Sequence, residues 1–239
     1  MGGGIKLKAL VLLSGGLDST TVLSHALAQG FEVTCLSFDY GQRHSIELDS
    51  SDRIAKKMNV ERIVFSLNLR QFGGSSLTSD INVEQGRINR EEVPNTYVPG
   101  RNIIFLSIAG ALADIRKCER IMIGVNAVDY SGYPDCRPEF ISSMEKSLRT
   151  GLAFSSSLKI EAPLQSMSKA EIIKYGMHLG TPYELTHSCY LGKTEACGEC
   201  DSCLLRLKGF MEAGCVDPVK YSHYPDFYKN YIENKKGKN

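Results

Sequence analysis

KALVLLSGGLDST, Lys8 to Thr20, is the stretch that decides the fold. Ala9 to Leu13 is an unbroken apolar run of the kind that forms a strand covered on both faces of a parallel sheet. Ser14-Gly15-Gly16 is a turn of small residues, and Leu17 to Ala28 reads as a helix. A strand passing through a glycine turn into a helix N-terminus makes an anion site. Free backbone N–H groups and the positive end of the helix dipole converge there, and glycine lets the backbone approach closely. The Walker spacing G-x-x-x-x-G-K-[ST], with its lysine, is absent. Asp18 instead puts a carboxylate beside the expected phosphates, a repulsion that a bridging Mg²⁺ relieves.

Working outward, strand-like and helix-like segments alternate. Strands are expected at Val33–Phe38, Arg62–Leu67, Arg120–Val125 and Lys159–Pro163. Helices are expected at Arg43–Met58, Asn102–Lys117 (mostly buried), Arg137–Leu152 and Ser168–Leu179, the last opened by a capping box of Ser168 and Glu171. The fold class is therefore α/β: a parallel five-stranded sheet with helices on both faces, its ligand site beyond the C-terminal strand ends. Residues 1–180 form this domain. Residues 181–239 form a small C-terminal helical lobe that binds metal and ends in a Tyr/Lys-rich tail whose last residues fray. Gly73 to Gly100 is a long polar stretch, read as a lid or interface arm, with a disordered insertion as the alternative.

Composition narrows the function classes. The chain has 239 residues, 42% of them apolar, and a formal net charge of +1. That balance favours a small substrate and gives no general support for nucleic acid or an anionic membrane as partner. No apolar run approaches a membrane span and no secretory leader is evident, so a cytoplasmic protein is expected. The eight cysteines read as reduced thiols.

Cys189, Cys197, Cys200 and Cys203 lie in CYLGKTEACGECDSC. Four thiolates suit a closed tetrahedral Zn²⁺ site with a structural role. An iron–sulfur cluster uses the same ligands and is the competing reading. Cys35, Cys118, Cys136 and Cys215 are expected to be core or surface residues. None of His25, His44, His178 and His187 reads as a catalyst.

SGGLDS after a buried strand resembles the PP-loop of the N-type ATP pyrophosphatases, which split ATP between its α- and β-phosphates. Further motifs are DYGQRH (Asp39–His44), PGRN (Pro99–Asn102) and GVNAVDYSGYPDCR (Gly124–Arg137). Together with the four cysteines they resemble the 7-cyano-7-deazaguanine synthase family of queuosine biosynthesis, over roughly Lys8 to Val216. The resemblance implies an adenine nucleotide alpha hydrolase-like fold and an ATP-dependent, nitrile-forming carbon–nitrogen ligase. Its substrates would be 7-carboxy-7-deazaguanine and free ammonia, with Mg²⁺-ATP and structural zinc, and it would act as a homodimer.

The resemblance also implies roles. Leu13, Ser14, Gly15, Gly16, Asp18, Ser19 and Thr20 hold the pyrophosphate, with Asp18 toward Mg²⁺, and Phe38 flanks adenine. Asp18, Ser19, Arg101 and Lys169 serve the chemistry, the two cations offsetting charge on phosphate or carboxylate. Tyr130 and Tyr133 stack on the deazapurine, Asp135 accepts from its N–H groups, and Arg137 faces a carbonyl or carboxylate. Plainer readings stand beside these: Asp135 as a turn or helix cap, the tyrosines as surface aromatics, Lys169 as part of a solvated face. Rival functions are another PP-loop adenylating enzyme, such as a tRNA-modifying or amidating ligase, and a non-catalytic ATP-binding protein.

Overall fold

The structure, a computed structural model, describes residues 6–42, 46–79, 94–126, 133–154, 157–191 and 194–237. Five strands form one sheet: β1 (Lys8–Leu12), β2 (Glu32–Asp39), β3 (Glu61–Ser66), β4 (Arg120–Met122) and β5 (Lys159–Glu161). Their order is β3-β2-β1-β4-β5 and every pairing is parallel. Seven α-helices are described: α1 (Leu17–Ala28), α2 (Ile46–Lys57), α3 (Arg101–Arg116), α4 (Pro138–Gly151), α5 (Lys169–His178), α6 (Asp201–Ala213) and α7 (Asp226–Lys236).

Side chains of successive strand residues point to opposite faces, and β1 divides two cores in this way. Ala9 and Val11 belong to the core with Val22 and Leu23 of α1, Ile54 of α2, Ile172 of α5, Phe210 of α6 and Tyr228 of α7. Leu10 and Leu12 belong to the other, with Leu106 and Ala109 of α3 and Ile141 and Leu148 of α4. Helices thus cover both faces, and the C-terminal helices share a core with the sheet.

Three expectations are adjusted. α3 is not mostly buried: only Asn102, Leu106, Ala109, Gly110 and Ala113 of its 16 residues are. One side of α3 covers the sheet, while Ile103 and Ile115 stand 48% and 74% exposed. β4 is shorter than its apolar run because, after Met122, residues 123–126 leave the ladder to line a cavity. The Tyr/Lys-rich tail is a docked helix: Tyr228 is fully buried, and its hydroxyl accepts from the Asp217 amide at 2.7 Å.

The Ser168–Glu171 capping box is present. Residues 80–93 of the long polar stretch lie outside the described residues, as do Arg43 and His44. The two stems of that stretch are tied together. Ser76 N donates to Asn95 O at 2.8 Å, and Ser76 Oγ donates to Asn95 Oδ1 at 3.1 Å. Among the described residues no helix is long and apolar enough to cross a membrane.

Candidate active site

In this strand order the winding of the chain across the sheet reverses between β1 and β4, and ligands of such sheets bind where the order switches. A cavity of about 290 Å³ opens there. Leu13 and Ser14 reach it from β1, Phe38 and Tyr40 from β2, and Gly124 and Asn126 from beyond β4.

The turn after β1 is fixed from below. Leu13 N donates to Leu36 O at 2.9 Å, and Ser37 Oγ donates to Leu13 O at 2.7 Å. Gly15 has φ +91°, and any Cβ there would strike the backbone carbonyl of Glu47 and the amide of Ser51. Glycine is therefore required both for the left-handed backbone and for the close approach of α2. Gly16 caps α1 with no side-chain bond, so the first helical amides are free toward the cavity. Ser14 Oγ and Ser19 Oγ lie 3.0 Å apart and face the same space. Thr20 is turned inward, its Oγ1 donating to Gly16 O at 2.7 Å, and neither it nor Gly15 lines the cavity.

Asp18 and Lys169 meet. Lys169 Nζ donates to both Asp18 carboxylate oxygens at 2.8 Å. Lys169 is 8% exposed, so it is not a solvated-face residue. Its segment is positioned from β4: Asn126 Nδ2 donates to Leu164 O at 3.1 Å and to Met167 O at 2.6 Å.

Phe38 lines the cavity but is stacked on Phe105, with ring centroids 3.8 Å apart. Arg101, at the start of α3, and Tyr133 also line the cavity. Burial works against the Arg101 charge, but Tyr40, Tyr133 and Asp135 around it hold the guanidinium more firmly protonated than usual. Burial pushes the Tyr133 phenol up, while its bond to Thr96, at 2.8 Å, works the other way.

Asp135 and Arg137 do not line the cavity. Asp135 Oδ2 accepts from the Asn102 amide at 3.1 Å, and Asn102 Nδ2 donates to Asp135 O at 3.0 Å, so Asp135 caps α3 from a distant loop. Arg137 is exposed at the N-cap of α4. Tyr130 lies outside the described residues.

Beside the cavity, the sulfurs of Cys189, Cys197, Cys200 and Cys203 lie within 4.8 Å of one another and are buried. Cys197 Sγ and Cys203 Sγ are 3.8 Å apart. A tetrahedral M–S₄ centre with bonds of ~2.3 Å has an edge of about 3.8 Å. Backbone amides of Leu191 and Cys197 donate to Cys189 Sγ at 3.4 and 3.3 Å, and those of Glu199 and Cys200 donate to Cys197 Sγ at 3.4 and 3.3 Å. Hydrogen bonds from the Cys200 and Cys203 thiols pull the Cys189 thiol well down, and in return Cys200 is pushed up to about 12 and Cys203 is raised. Gly198, at φ +78°, sits against the carbonyl of His223, where no side chain fits. The cluster could hold a metal ion.

Sequence reasoning missed Glu47 and His187, both in the cavity wall. His187 is 5% exposed, its amide donates to Gly15 O at 2.9 Å, and its Nε2 is buried with no partner among the described residues. Nothing local marks either residue. Glu47 reads as an ordinary first-turn acid of α2, and His187 is brought to Gly15 only by tertiary folding.

The queuosine biosynthesis protein QueC family matches residues 8–214. The 7-cyano-7-deazaguanine synthase of Thermoplasma acidophilum is 56% identical over 233 residues, covering 96% of this chain and 98% of its own. The synthase of the same name from Oceanobacillus iheyensis is 55% identical over 217 residues, covering 90% and 98%. The solved structure of a 4-thiouridine synthetase–RNA complex with bound ATP has a TM-score of 0.50 at 17% identity, covering 95% of this chain and 50% of that one. That last likeness is one of fold. With the family matched over most of its length and relatives this similar, the chain belongs to the QueC family of queuosine biosynthesis proteins.

Proposed function

We propose that this protein is an ATP-dependent 7-cyano-7-deazaguanine synthase, converting 7-carboxy-7-deazaguanine and ammonia to the nitrile through an amide. A carboxylate resists nucleophiles because its oxygen leaves poorly. Adenylation makes AMP the leaving group, ammonia displaces it, and adenylation of the amide oxygen lets a second AMP depart to leave the nitrile. The observation that carries this reading is one cavity whose wall joins the SGGLDS turn to Arg101 and Tyr133. Nucleotide and carboxylated ring would meet there without a second domain.

In this reading the free amides of α1, with Ser14, Gly16 and Ser19, take the pyrophosphate. Asp18 would hold Mg²⁺, which when bound neutralises phosphate charge, and Lys169 keeps the Asp18 carboxylate in place. Arg101 faces the carboxylate as it is activated, a preorganised cation aimed at developing charge. Tyr133 offers a ring to the base. Asp135 acts through Asn102 by fixing the start of α3, so it positions Arg101. The four cysteines would hold zinc in a structural role, supported by their tetrahedral spacing and the amides directed at sulfur. A cytoplasmic homodimer is the setting proposed. None of the eight cysteines is in a disulfide, and Phe72 and Ile115 offer exposed apolar surface for a second copy.

Purified protein, ATP, ammonium and the carboxylated deazaguanine test the reading. AMP, pyrophosphate and a nitrile seen by mass spectrometry are expected. ADP as the product, or ATP cleavage indifferent to the base, would overturn it.

A further inference from the structure

One guanidinium in the cavity wall has each of its N–H groups answered by protein. Arg206 of α6 is 3% exposed. A guanidinium carries five N–H donors. Arg206 Nε and Nη2 donate to the two Asp217 carboxylate oxygens at 2.7 and 2.9 Å. Nη1 donates to Thr186 Oγ1 at 2.7 Å and to Ser188 Oγ at 3.3 Å, and Nη2 donates also to Tyr183 O at 3.3 Å. Asp217 is filled in turn, accepting from the Tyr221 hydroxyl at 2.7 Å and the Val219 amide at 3.0 Å. Arg206 borders the cavity, yet its donors are committed to protein rather than to phosphate. Three of them go to a strap, residues 183–188, which bonds to α6 on one side and to the SGGLDS turn on the other.

The strap grips the turn. Ser202, one helical turn before Arg206, donates from Oγ to Ser188 O at 2.6 Å. Arg206 holds Thr186 and Ser188, and the residue between them, His187, donates its backbone amide to Gly15 O at 2.9 Å. The His187 carbonyl lies against Gly16, 3.6 Å from where a Cβ would stand. Gly15 C=O and Gly16 N–H belong to one planar trans peptide unit and point opposite ways. Fixing the carbonyl on the His187 amide therefore turns the Gly16 N–H to the other side, where Ser14 Oγ stands 3.3 Å away beside the cavity. A pair of glycines has little preference of its own for this orientation. Rotated the other way, the unit would show phosphate a carbonyl oxygen instead of an N–H.

We propose that Arg206 is a positioning residue for the nucleotide. Acting through Thr186, Ser188 and the His187 backbone, it holds the Gly15–Gly16 peptide unit with its N–H toward the pyrophosphate. This rests on the adenylation reading given above. A buried ion pair adds little net stability over apolar groups of the same volume. What the Arg206–Asp217 pair adds is direction, because a planar fork of fixed donors sets α6, the strap and the residues around Asp217 in one register. Lysine, a single nitrogen with rotatable donors, cannot span the same acceptors.

The test separates positioning of the turn from general support of the fold. Pyrophosphate exchange into ATP, with the carboxylated base and no ammonium, gives the ATP KM and, at saturating ATP, the KM of the base. Arg206→Lys keeps the charge opposite Asp217 but loses the fork. Its ATP KM should rise about tenfold or more, while the KM of the base stays within about twofold and metal content stays at the wild-type level. Thr186→Val keeps the shape and drops the acceptor, so its ATP KM should rise about threefold or more, and Thr186→Ser, which keeps the hydroxyl, should return it to the wild-type value. An unchanged ATP KM in folded Arg206→Lys would overturn the proposal. So would parallel rises for ATP and base, or a rise accompanied by metal loss, either of which would make Arg206 a support of the C-terminal residues alone. Should Arg206→Lys fail to fold, the Thr186 pair carries the same comparison. A wild-type protein that exchanges no pyrophosphate overturns the adenylation reading, and this inference with it.

Discussion

Asp18 is bound on both oxygens by Lys169, yet it lines the cavity where phosphate is expected. Asp18→Asn leaves the buried Lys169 ammonium against a neutral partner, so the melting temperature should fall, but the folded mutant should lose AMP release out of proportion to that loss. Rate and melt taken on one preparation check this, and normal turnover would remove Asp18 from the site. Asp135 gives a different expectation. Its carboxylate caps α3, and loss of such a cap costs about 0.5–2 kcal/mol. Asp135→Ala should lower stability by that order and slow turnover, whereas Asp135→Asn, which keeps an acceptor, should recover most of both. Urea unfolding and steady-state rates would decide. Asp18 was legible because its setting is local, the strand, the glycines and the helix start being contiguous in sequence, although the Lys169 that binds it lies 151 positions away. Asp135 was not, since the amide it caps lies 33 positions away. Glu47 and His187 were invisible for the same reason, each ordinary until Gly15 brings them together.

The elements themselves were read closely because hydrophobic runs and caps are local signals. α1 occupies the residues expected of it, and the Ser168 box starts α5 where its spacing placed it. α3 was misjudged because alanine and leucine content reports helix formation but not how many sides of the helix find a partner. Between α1 and α5, His25 Nδ1 lies 2.6 Å from the Tyr175 hydroxyl. Burial, only partly offset by Glu161, lowers the His25 pKa below its ordinary 6.5. The unfolded chain therefore binds a proton more readily than the folded one as pH falls. The stabilisation is fully present above 6.5 and is lost as pH drops through that value toward the folded pKa. Urea midpoints at about pH 7.5 and about pH 5.5 should differ more for wild type than for His25→Gln. Equal slopes would show that His25 is not the group that responds.

Across the whole molecule the cysteine cluster ties the C-terminal residues to the sheet, since Cys189, Cys200 and Cys203 share a core with Ala9 and Val11. A metal bound only by the folded chain adds its binding energy to stability. Cys200→Ser should therefore lower metal content and melting temperature together, and a strong chelator should do the same to wild type. Elemental analysis finding iron, with visible charge-transfer absorption, would replace zinc by a cluster. The four cysteines were legible as a set, but their place against β1 was not, because spacing says nothing about which face they cover. That arrangement bears on how the chain is made. Ala9 and Val11 leave the ribosome early, while Ile172, Phe210 and Tyr228, which complete their core, follow more than a hundred and fifty residues later. Until α7 clears the exit tunnel, the face of the central strand that α1 and α2 cover only in part keeps apolar surface open to water. The nascent chain in that interval is a natural client for a holdase chaperone.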